Sequence, residues 1–126
     1  MKPTHLISLL ALGILLFARC EKAETPDLLT QRWVDSFEEA SDGYTIFRPS
    51  HYKDFPLSRF RQTFELRDDR ACSYLVLAPN DAHYVNEGVW EYNGETNTVK
   101  IRHGKTIIYN FQIIKLAHDL LKVKML

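Results

Sequence analysis

Two cysteines occur in 126 residues, at positions 20 and 72, too few to frame a small fold with disulfides. Charge of one sign is also missing. Lysine and arginine number 16 against 16 aspartates and glutamates, so no basic surplus argues for nucleic acid or an anionic membrane surface. The longest apolar stretch, Leu6 to Ala18, has thirteen residues, short of the roughly 20 a helix needs to cross a bilayer. Catalytic signatures are lacking too: no G-x-S-x-G, no glycine-rich phosphate loop, no H-E-x-x-H. The histidines at 5, 51, 83, 103 and 118 include no pair at a metal-ligand spacing. No enzyme, metal or cofactor is expected.

What is present begins with MKPTHLISLLALGILLFARC. A positive start and an apolar core of this length, with Ser8 its one polar residue, form a secretory signal. Its end resembles the bacterial lipobox, matched by Leu16, Ala18 and Cys20, with Arg19 where that motif carries a small residue. The resemblance implies acylation of Cys20 and a membrane partner through the lipid, in the periplasm or at the outer membrane. Residues 1–20 are then the signal and 21–27, EKAETPD, a charged tether. Residues 28–126 form one domain. Without Lys2 and Arg19, 14 basic side chains face 16 acidic ones, a net of about −2. Cys72, left without a partner inside a strand-like run, reads as a small buried hydrophobe.

Beyond the tether, strand signals recur between turn residues. The runs are 31–37, 44–48, 60–67, 71–78, the two arms flanking Asn93-Gly94, 106–116 and 120–126. Trp33, Asp35 and Phe37 share one face of the first. In the last, Leu121, Val123 and Met125 alternate with Lys122 and Lys124. Asn-Gly favours a tight hairpin, lengthened here by Glu95 to Thr98. Only residues 49–59 and 79–86 read as longer loops. A short helix from about Asp27 to Arg32 is placed to cap one end. The expected fold is all-β: an eight-stranded antiparallel up-and-down barrel, which leaves no exposed edge, with a two-sheet sandwich as the alternative.

LLTQRW, TFELRDDRACSY, GVWEYNGETNTVKI and FQIIKLAHDLLKVKM carry a further resemblance. Residues 28–126 look like the small lipocalin-like domains of exported lipoproteins of Gram-negative bacteria, with Gln31 where lipocalins proper have the glycine of their G-x-W. The resemblance implies a barrel and carries no ligand with it.

The recognition candidates are the segment RPSHYKDFPLSRFR (48–61) and the aromatics. The segment gathers Arg48, Arg59 and Arg61 with Tyr52, and the arginine fork suits an anionic group. The alternative reading is a crossover loop whose aromatics cap the core and whose arginines pair with neighbouring acids. Trp33, Trp90 and Tyr92 either line a ligand cavity or fill the barrel. The leading expectation is a lipid-anchored carrier of a small apolar or amphipathic molecule, without catalysis. The alternative is a filled barrel that engages an envelope protein partner.

Overall fold

In the computed structural model, which describes residues 25–126, the chain forms a closed antiparallel barrel. Its strands are β1 (Arg32–Asp35), β2 (Thr45–Pro49), β3 (Thr63–Leu66), β4 (Ala71–Leu77), β5 (His83–Asn93), β6 (Thr98–His103), β7 (Thr106–Ala117) and β8 (Leu120–Met125). Among the described residues the helical pieces are two single 3-10 turns, Asp27–Leu29 and Phe37–Glu39. The expected helix over 27–32 is thus the first of these turns. The signal and Cys20 lie outside the described residues.

The barrel is eight-stranded, antiparallel and closed, as the alternation implies. Its order departs from a plain meander at one place. From β3 to β8 each strand pairs with the next, but β1 lies between β2 and β3, and β2 closes the barrel against β8. Residues 50–62 therefore carry the chain across β1 rather than round a hairpin. Val34, which alternates with the inward-facing Trp33, is nonetheless buried, with only 8 % exposed, on the face opposite the core.

The strand pattern explains the core. Inward positions of consecutive strands hold Trp33, Phe47, Phe64, Leu66, Cys72, Trp90, Val99, Ile101, Phe111, Leu121 and Val123, all buried. Phe47 and Phe64 meet edge to face at 4.9 Å between ring centroids, an arrangement that aromatic quadrupoles favour. Outward positions of β8 hold Lys122 and Lys124, the one-side-wet alternation of an antiparallel sheet.

The two ends differ. Connections 67–70 and 94–97 lie at one end with the start of β1, which the turn Asp27–Leu29 closes. Leu29 is fully buried there and its carbonyl accepts a hydrogen bond from Trp33 Nε1 at 3.1 Å. Trp90 Nε1 donates to the Arg67 carbonyl at 2.8 Å, and the Arg70 guanidinium lies over the Trp90 ring at 4.8 Å. Connections 36–44, 78–82 and 104–105 lie at the other end, the mouth.

Several local expectations shift. The first strand stops at Asp35, because Ser36 is buried with its hydroxyl donating to Glu39 at 2.6 Å and the chain turns. Phe37 is consequently 45 % exposed rather than on the Trp33 face. Residues 83–86, read as loop, extend β5 by pairing with Tyr74–Leu77. In the β5–β6 connection the left-handed residue is Asn97 (φ 56°), with Asn93 Oδ1 accepting from the Glu95 N–H at 2.9 Å.

Candidate binding site at the barrel mouth

The packed centre does not extend to the mouth. A recess of about 450 Å³ opens there, lined by Phe60, Gln62, Tyr74, Leu75, Val76, Leu77, Tyr84, Asn86, His103, Thr106, Ile108 and Tyr109. The alternation that buries Cys72 also turns Tyr74 and Val76 inward, and that of Trp90 turns Asn86 and Tyr84 inward. Ile108 and Tyr109 are consecutive, yet both line the recess. The register slips here: Ile101 faces Tyr109 while Arg102 faces Ile107, leaving Ile108 unpaired. A bulge of this kind re-aims a side chain at a barrel rim. Tyr74 and Tyr109 meet edge to face at 6.4 Å, and Phe64 lies 6.0 Å from Tyr109, so aromatic rings form the inner limit.

Polar groups at the mouth are few. His103 Nδ1 lies 2.7 Å from the Glu87 carbonyl, and Gln62 Nε2 donates to the Leu75 carbonyl at 3.2 Å. Burial pushes the Tyr109 phenol up to about 12, with Tyr74 and Asp35 adding to the rise. Burial likewise raises Tyr74. Both phenols stay protonated at neutral pH.

Asp35 is the exception among the inward residues. It follows Trp33 on the same face of β1, and its N–H donates to the Gln62 carbonyl at 2.8 Å. Its Oδ1 is buried without a hydrogen-bond partner among the described residues. Burial raises its pKa above the usual aspartate value, against the pull of Arg61 and with a further push from Glu38.

The crossover segment is tied down from within. Arg61 gives its two terminal nitrogens to Glu38 at 2.9 and 2.6 Å, and Arg48 gives Nε and Nη2 to Glu39 at 3.0 and 2.8 Å. These forks hold the Glu38 and Glu39 carboxyls down at about 2, through hydrogen bonds first. Arg61 also lies over the Phe37 ring at 4.2 Å, and Arg48 over Tyr52 at 4.3 Å. Arg59, far more exposed, pairs with Asp81 at 2.6 Å.

The residues singled out from sequence therefore separate. Arg61 straps the crossover, and Arg48 straps β2, to the turn Phe37–Glu39, with Tyr52 beneath Arg48. Trp33 and Trp90 belong to the packed centre and closed end, 0 % and 3 % exposed. Tyr92 packs against the core, its hydroxyl 2.9 Å from Asn97 Oδ1. It lines a different recess, of about 460 Å³, over the β5–β6 hairpin with Glu91, Asn93, Glu95 and Lys100. That hollow is walled by charged and amide side chains and does not enter the barrel. None of the seven lines the mouth.

Sequence reading missed the mouth itself. Tyr74 and Val76 carried a usable signal, alternating with Cys72 in a single run. Asp35 carried a stronger one, as an acid on a core-facing register. Ile108 carried none, since a bulge leaves no local mark in TIIYNF. The Cys72 thiol, fully buried, is pushed up to about 11 by burial and is thereby kept from thiolate chemistry. Among the described residues no cluster of His, Cys, Asp and Glu is placed to hold a metal ion. Comparison with family models, curated proteins and solved structures finds no match for this chain.

Proposed function

We propose that this protein is a carrier: it binds one small apolar or amphipathic molecule in the mouth of the barrel and performs no chemistry on it. The observation that carries this reading is the mouth recess, a concavity of about 450 Å³ walled mainly by Tyr74, Val76, Tyr84, Ile108 and Tyr109. Largely apolar clefts of a few hundred Å³ with few polar groups are the usual form of a small-molecule site, and an eight-stranded barrel is wide enough for one such ligand.

N-phenylnaphthylamine, a neutral apolar fluorophore, tests it. The probe should brighten on binding, and Ile108→Trp, which fills the recess, should weaken binding by about tenfold or more, equivalent to about 1.4 kcal/mol. A probe that ignores the protein, or that binds the folded variant equally well, overturns the proposal.

The same proposal places the protein in the cell envelope, anchored by lipid on Cys20. Thr25 is held at the closed end by a hydrogen bond from Arg70 at 2.7 Å. Cys20→Ser should move the protein from the membrane fraction to the soluble one. Unchanged fractionation removes the anchor.

A further inference from the structure

Resting on the carrier reading, we infer that the preferred ligand is a cationic amphiphile, an alkyl chain or ring system bearing a protonated amine, whose ammonium meets Asp35 at the inner edge of the mouth. The inference starts from an unfilled demand. Asp35 Oδ1 is shielded from water with no donor facing it, and a buried carboxylate oxygen without a partner costs free energy until one arrives.

The side chains around it do not meet that demand. Arg61 is the nearest cation, but its fork is closed on Glu38, and Nη1 reaches only the main-chain oxygen of Asp35, at 2.8 Å. Gln62 spends its amide on the Leu75 carbonyl. Glu38 adds negative charge. Arg61 and Glu38 offset one another, which leaves the Asp35 carboxylate as the charge a head group meets and disfavours a carboxylate or phosphate head.

Position supplies the second half. Asp35 does not itself line the recess but lies next to Gln62, which does, through the main-chain bond of 2.8 Å between the Asp35 N–H and the Gln62 carbonyl. A ligand whose apolar body lies among Val76, Ile108 and the tyrosine rings can therefore turn a head group toward Asp35. An ammonium brings three donors and a charge, and a charge-assisted hydrogen bond is roughly twice as strong as a neutral one. A hydroxyl brings one donor and no charge.

Displacement of N-phenylnaphthylamine by dodecylamine, dodecanol and dodecanoic acid, below their aggregation limits at pH 7, compares the three heads on one tail. The amine should displace the probe at about tenfold lower concentration than the acid, with the alcohol between them. Asp35→Asn and Asp35→Ala should erase the gap between amine and acid, with the alcohol changing less than the amine. Equal displacement by amine and acid overturns the inference. So does a preference that survives in both variants, which would place its source on the outer surface. Displacement by the alcohol alone overturns it while leaving the carrier intact, whereas failure of the neutral probe to bind overturns the carrier itself.

Discussion

Trp33→Ala should lower the free energy of unfolding by about 3–5 kcal/mol, the range for truncating a large buried aromatic. Trp33 is fully buried and sits opposite Phe64 on β3 and Pro49 on β2, at the point where β1 is inserted between strands that would otherwise be neighbours. Its indole N–H holds the Leu29 carbonyl, so truncation also loosens the turn that closes the barrel. Trp33→Phe separates the two effects. It keeps most of the ring volume and should cost about 1–3 kcal/mol for the stranded carbonyl and the smaller side chain. Chemical denaturation measures both. A midpoint that hardly moves for Trp33→Ala would show that the closed end is not where the barrel is held together.

Gly88→Ala should cost about 1–3 kcal/mol, in spite of replacing glycine within a strand. Glycine in a strand interior is ordinarily a weakness, and alanine there would be expected to help. Here the added Cβ would run into the Arg102 carbonyl oxygen, a backbone atom with no rotamer to escape by, and come within 3.4 Å of the Tyr74 ring. Gly88 faces Cys72 on β4 and lies beside the β6–β7 bulge, so the strain would reach the wall of the mouth. Urea denaturation gives the stability. A variant as stable as the parent, or more so, would mean that β5 and β6 stand further apart at Gly88 than described.

Much of the barrel was legible because strand alternation is local. Leu121 and Val123 against Lys122 and Lys124, or Val99 and Ile101 against Lys100, declare an inner and an outer face within a few residues. The insertion of β1 was not legible, since nothing in RWVD or TIFRP says that the two strands on either side of Trp33 are β2 and β3. The turn at Ser36 was partly legible in S-x-x-E, where Glu39 now takes the serine hydroxyl. The basic segment 48–61 stood out by composition. Its partners lie earlier in the chain: Glu39 meets Arg48 across the β1–β2 connection, and Glu38 meets Arg61 only through the crossover. Aromatic content alone could not tell lining from filling: Trp33 and Trp90 fill, whereas Tyr74 and Tyr109 line. The difference is depth in the barrel, which depends on register and on one bulge.

Methyl-resolved NMR of the folded domain, titrated with decanol, tests the central claim most directly. Ligand entry into the mouth predicts that the methyl signals of Val76 and Ile108 shift together and saturate, while those of Val99, Leu121 and Val123 in the packed centre stay in place. Shifts confined to Val85, Val89 and Ile107 on the exposed surface, or no saturable shift anywhere, would contradict a binding site in the mouth.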